Sequence, residues 1–171
     1  MYEGEKGVER KVRCDMKHLH DGALTSFVLY YEGEKGHERV VRNILPDGLI
    51  QHFEGEGGSE RLVRTELPNG QVMHYEGGPH GSERLVREVF PYGVVRHYEG
   101  PHGSERLLRA VAPSGHVQYC EGENGAERLV REVFPDGRVA DYGQGRALHF
   151  TKGGVPILHH VVGGASRGSG S

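Results

Sequence analysis

The chain predicts an all-β fold: an elongated antiparallel meander of stacked β-hairpin repeats, largely a single-layer twisted sheet, with a period of 22–23 residues. Three observations predict it. An aromatic residue followed by Glu-Gly recurs down the chain, Glu-Arg-x-x-Arg follows it at the same distance save for one extra loop residue in unit 75–97, and Pro-x-Gly closes most units. The 28 glycines among 171 residues agree, since glycine buries almost no side chain and favours tight bends over thick helical cores.

The units run 2–30, 31–52, 53–74, 75–97, 98–119 and 120–141, with a degenerate cap at 142–162 and a Gly/Ser tail at 163–171. Together, 1–162 read as one repeat domain. Residues 31 to 52, YEGEKGHERVVRNILPDGLIQH, and 53 to 74, FEGEGGSERLVRTELPNGQVMH, are the same pattern twice. The first unit carries a surplus around CDMKHLHDGALTSF, read as an insertion or cap.

Within a unit, the first strand ends on the aromatic and its Glu-Gly, and a second glycine (Gly36, Gly58, Gly81) marks the loop. The second strand begins at Glu-Arg: Glu9, Glu38, Glu60, Glu83, Glu105 and Glu127 each precede an arginine, with another three positions on. The turn at Pro46, Pro68, Pro91, Pro113 and Pro135 has a mechanism, because proline presets φ near −65° and glycine accepts φ > 0. Helix fails as an alternative, since Pro and Gly recur too often and segments such as ERLVREVF are rich in β-formers. Simple alternation puts Val72, His74 and Glu76 on one face and Met73 and Tyr75 on the other. In the next strand it sets Leu85, Arg87 and Val89 against Arg84, Val86 and Phe90.

Stacking in register turns each repeated position into a column with one member every two strands, about 9 to 10 Å apart. The aromatic column is Tyr2, Tyr31, Phe53, Tyr75, Tyr98, Cys120 and Tyr142, read first as packing between repeats. Tyr31, Phe53, Tyr75 and Tyr98 are its candidate binding residues, with Arg42, Arg64, Arg87, Arg109 and Arg131 from the arginine column. The charged columns (Glu3, Glu32, Glu54, Glu76, Glu99 and Glu121 against the arginines) read as a cross-strand lattice that penalises register slips.

Composition excludes several functions. Lys+Arg 21 against Asp+Glu 24 gives −3, which lacks the clustered positive field that phosphate binding needs, so nucleic acid is not expected as a partner. Met1 to Arg10 is charged, with no apolar stretch after it; neither signal peptide nor membrane span is expected, and the expected location is cytoplasmic, with membrane-surface or cytoskeletal association compatible. Cys14 and Cys120 read as free thiols. His52, His74 and His97 recur in a column, but zinc ligands must converge to about 2.0 to 2.1 Å and equivalent side chains lean the same way; no metal or other cofactor is expected. His80, His102, His159 and His160 are weaker still. No catalytic motif appears, and the chain is read as a non-enzyme; a unique site could hide only in the surplus at 14–26, with Cys14, Asp15, His18, His20 and Asp21.

The Tyr-Glu-Gly start, a glycine three to four residues later, a second strand and Pro-Asp-Gly before the next Tyr-Glu-Gly resemble MORN repeats (membrane occupation and recognition nexus) over about residues 2 to 142. Glu-Arg-Leu-Val-Arg stands where that pattern normally shows glycines in the second strand. The resemblance implies hairpins stacked into an elongated single-layer sheet and contact with acidic lipid headgroups through arginine columns. The tyrosine-aspartate repeats of bacterial toxin shells are also similar. The expected function is a protein-binding scaffold with a protein partner. An acidic-lipid module, an enzyme at 14–26 and end-to-end or lateral self-association stand as alternatives.

Overall fold

The computed structural model describes residues 1–4, 10–20, 23–78 and 81–147. Glu9, His80, Asp21, the far part of the cap, with His159 and His160, and the 163–171 tail lie outside the described residues.

All described regular structure is β. A short ladder joins β1 (Tyr2–Glu3) to β2 (Arg10–Lys11). Twelve further strands form one antiparallel sheet in sequence order: β3 (Arg13–His20), β4 (Ala23–Glu32), β5 (Arg39–Ile44), β6 (Ile50–Glu54), β7 (Arg61–Glu66), β8 (Val72–Glu76), β9 (Arg84–Val89), β10 (Val95–Glu99), β11 (Arg106–Val111), β12 (Val117–Glu121), β13 (Arg128–Val133) and β14 (Val139–Ala147). The sheet does not close into a barrel: β3 and β14 stand at opposite ends. The expected meander of hairpins is present. The surplus of the first unit differs from its reading as an insertion, because it lengthens a hairpin, with β3 and β4 paired without a break from Arg13↔Tyr30 to His20↔Ala23.

Both bends follow their sequence cues in the units from 31–52 onward, as far as their residues are described. At Leu45-Pro46-Asp47-Gly48 the Gly48 N–H donates to the Leu45 carbonyl at 3.0 Å, and Asp47 Oδ1 accepts from the Leu49 N–H at 3.1 Å. That is a type I turn with a left-handed glycine, a favoured three-residue hairpin. At the other bend Gly100 has φ +111, and a Cβ there would lie 2.8 Å from the Ser104 carbonyl oxygen, so Glu-Gly is fixed by a close approach of backbone.

Simple alternation breaks at one place in each unit. β8 and β9 pair Val72↔Val89, Met73↔Glu88 and His74↔Arg87, then slip to Tyr75↔Leu85. The residue between Leu85 and Arg87 is the extra one of a β-bulge, and the same slip recurs at Tyr30/Tyr31, His52/Phe53, His97/Tyr98 and Tyr119/Cys120. Leu85 therefore shares a face with Tyr75 and Met73, not with Arg87 and Val89 as strict alternation had it. The bulge thus sorts the unit into two faces.

On the first face each aromatic, or the cysteine that stands in its place, meets a branched aliphatic: Tyr31↔Val40, Phe53↔Leu62, Tyr75↔Leu85, Tyr98↔Leu107 and Cys120↔Leu129. The buried strand residues sit here, among them Leu107, Cys120, Leu129, Thr65, Ala110 and Glu132. The polar ones are bonded to one another. Gln118 Nε2 donates to Glu132 Oε1 at 2.9 Å, Tyr98 Oη donates to Glu88 Oε2 at 2.5 Å, and Tyr142 Oη reaches Glu132 Oε2. Burial, with the Glu88 hydrogen bond, pushes the Tyr98 phenol far up.

The glutamates Glu60, Glu83, Glu105 and Glu127 of the Glu-Arg pairs each hold two units together. Glu83 Oε2 accepts from the Gly81 N–H at 2.7 Å in its own loop, and its Oε1 accepts from Leu62 N–H of the preceding unit at 2.8 Å. Glu60 does the same with Gly58 and Val40, and Glu127 with Gly125 and Leu107. The arginine beside it points the other way, Arg106 Nη1 donating to the Gly122 carbonyl at 3.0 Å and Arg39 Nη1 to that of Gly55 at 2.6 Å.

Candidate functional site

The second face carries the residues that the unit leaves open. Because every hairpin has the same register, the residue before the aromatic pairs with the second arginine on both of its sides. The pairs run Arg13↔Tyr30, Tyr30↔Arg42, Arg42↔His52, His52↔Arg64, Arg64↔His74 and His74↔Arg87. They continue Arg87↔His97, His97↔Arg109, Arg109↔Tyr119, Tyr119↔Arg131 and Arg131↔Asp141. Directly paired residues project on one face, so these form a single row crossing all twelve strands. At about 4.7 to 4.9 Å per strand the row is roughly 50 Å long, with an arginine about every 9.4 to 9.8 Å.

Two groups of expected binding residues thus part company. Arg42, Arg64, Arg87, Arg109 and Arg131 lie together in the row, interleaved with His52, His74 and His97. Tyr31, Phe53, Tyr75 and Tyr98 lie on the opposite face as half-buried packing partners, because each follows a row residue by one position in its strand. One ligand on one face cannot touch both groups. The sequence kept the histidine and arginine columns apart, and only the cross-strand register joins them.

Charge is unevenly compensated along the row. The Arg42 guanidinium stacks 4.0 Å from the Tyr30 ring centroid, Arg64 Nη2 lies 2.9 Å from Glu66 Oε1, and Arg131 Nε lies 3.7 Å from Asp141 Oδ1. At the centre, Arg87 and Arg109 carry no ion pair among the described residues, and Arg87 is exposed. Two further rows flank this one. On one side Val89, Val95, Val111, Val117, Val133 and Val139 pair in succession. On the other, Glu32–Arg39 at 3.6 Å, Glu76–Arg84 at 3.9 Å and Glu99–Arg106 are mutually neutralised, as the sequence lattice implied.

Burial, and then the arginines on either side, hold the His74 and His97 imidazoles below their usual pKa: Arg64 and Arg87 act on His74, Arg87 and Arg109 on His97. Both rings are therefore neutral at neutral pH. In the unfolded chain they titrate near 6.5, so on acidification the unfolded state takes up protons first, and stability falls as pH drops through about 6.5 towards the lower folded values. The thermal unfolding midpoint is expected to be lower at about pH 5.5 than at about pH 7.5, and less so in a His74→Gln, His97→Gln double variant. Equal pH sensitivity in the two proteins would remove the claim.

Other chemistry is thin. Burial, then the Glu127 carboxylate, pushes the Cys120 thiol up to about 11, which keeps it protonated. Among the described residues no three His, Cys, Asp or Glu side chains converge as metal ligands, and no helix is long and apolar enough to cross a membrane. Cys14 faces Leu29 across an ordinary ladder; the side chains of His18 and His20 lie outside the described ones. Compared with known proteins, the chain matches no family model and no curated protein sequence.

Proposed function

We propose that the chain is a non-enzymatic protein-binding module built from MORN-like repeats, acting as a cytoplasmic scaffold through its arginine and ring row. The observation that carries this reading is the pair Arg87 and Arg109: successive arginines of one row, Arg87 exposed and Arg109 partly so, without carboxylate partners among the described residues. Other charges are held by the fold, Glu83 by two backbone amides and Glu99 by Arg106. Uncompensated charge at the middle of a regular row is what an external anionic partner would use. The repetition also favours binding over catalysis, since each row position has equivalents in neighbouring units and no single site stands apart.

The test is an affinity capture with the wild-type chain and with an Arg64→Ser, Arg87→Ser, Arg109→Ser variant shown to be folded. The expected result is a protein partner held by the first and lost from the second. Capture of nothing by either form, or of the same protein equally by both, ends the proposal. A second reading rests on the arginines sharing one face of the sheet, which suits a surface of acidic phospholipid headgroups. Salt-sensitive sedimentation with acidic vesicles, abolished by the same three substitutions, would select it over the first.

A further inference from the structure

We propose that the partner segment lying on this row is an acidic polypeptide in polyproline II conformation, with an acidic side chain at every third position; this rests on the protein-binding reading above. The argument is one of matching periods. Arginines recur about every 9.4 to 9.8 Å along the row, set by two strand spacings. A polyproline II chain has three residues per turn at a rise of about 3.1 Å, so every third side chain returns to one face after about 9.3 Å. Over the three intervals from Arg42 to Arg109 the mismatch accumulates to roughly 0.3 to 1.5 Å, within the reach of an arginine side chain.

Other peptide conformations fit less well. An extended strand repeats its face about every 6.6 to 6.8 Å and falls out of step at the first interval. An α-helix returns after about 5.4 Å, so two turns overshoot one interval by about 1 Å, and the error grows to several ångströms along the row.

The flanking rows complete the fit. With acids on the arginines, a second side of the three-sided chain falls over Val89, Val95, Val111 and Val117, an aliphatic strip suited to proline rings. The neutral His74 and His97 rings between the arginines add flat surfaces of the kind that polyproline segments dock against. The Glu76–Arg84 and Glu99–Arg106 pairs on the far side are already neutralised, so they neither recruit nor repel strongly. Charge complementarity is concentrated at Arg87 and Arg109.

The experiment compares three fluorescent peptides of equal length by anisotropy at low ionic strength: repeated Asp-Pro-Pro, the same residues with all aspartates at one end, and repeated Gly-Pro-Pro. The wild-type chain is expected to bind the first about tenfold more tightly than the second, and the third not at all. An Arg87→Ser, Arg109→Ser variant is expected to lose that preference, while Arg87→Lys, Arg109→Lys retains the larger part of it. Equal affinity for the two acidic peptides would show that charge alone is read and would overturn the inference. So would tighter binding of a single-stranded oligonucleotide than of any peptide. If affinity capture returns a protein that depends on the row arginines but none of the peptides binds, the module reading stands and the polyproline inference falls.

Discussion

Replacing Glu83 by alanine is expected to destabilise the chain by about 2 kcal/mol, because two part-buried amides lose their acceptor together. Glu83 is 7% exposed, and its carboxylate receives N–H bonds from Gly81 at 2.7 Å and Leu62 at 2.8 Å. Donation to an ionised oxygen is stronger than to a neutral one, and an unsatisfied buried N–H costs about 1 to 3 kcal/mol. The Leu62 amide sits beside the bulge, where β7 and β8 pair only from Arg64 to Glu66, so no strand partner takes over. The measurement is the urea midpoint of the variant against Glu121→Ala, an exposed glutamate whose loss should cost less than about 0.5 kcal/mol. Matching midpoints for the two variants would show that the inter-unit clamp contributes nothing.

Leu129→Ala is expected to cost about 2 to 5 kcal/mol, the range for a buried leucine whose surroundings collapse incompletely. Its relative exposure is 0%, and it faces Cys120 across the ladder on the packed side of the sheet. The result is informative because, among the described residues, no second layer covers it. If burial on this face comes from neighbouring columns alone, the truncation should be felt in full; Val139→Ala, at a site 47% exposed, should cost well under that. A Leu129 variant as stable as the Val139 one would mean that this face is not the core.

Much of the architecture was legible in the residues. Pro46-Asp47-Gly48 and its equivalents dictate their turns locally, and Glu-Gly repeated at a fixed period announces the other bend, so the hairpins and their order follow from short-range chemistry. The bulge was not legible. Nothing in Leu85-Val86-Arg87 alone says that Val86 is skipped; the slip arises where the ladder meets the loop glycine, and it moves Leu85 to the aromatic side. The glutamates at positions 60, 83 and 127 read in the sequence only as the start of the second strand, while in the structure their oxygens serve backbone amides of the preceding unit. The candidate site was half visible: its arginines were named, but their alternation with His52, His74 and His97 exists only across strands. The period itself held the clue, since the residue before each aromatic and the last arginine of each unit stand at the same separation in every unit from 31 to 141 except 75–97, whose first loop is one residue longer.

The backward reach of those glutamates gives the array a chemical direction. An interior unit such as 75–97 lends an acceptor to the unit before it through Glu83 and borrows one from the unit after it, where Glu105 accepts from the Leu85 amide at 3.1 Å. Shortening such a stack from its C-terminal side strips the newly terminal unit of a borrowed oxygen and leaves an orphan amide. Shortening it from the N-terminal side merely frees a carboxylate to turn towards water, so a stack of this kind is more vulnerable to erosion at one end than at the other.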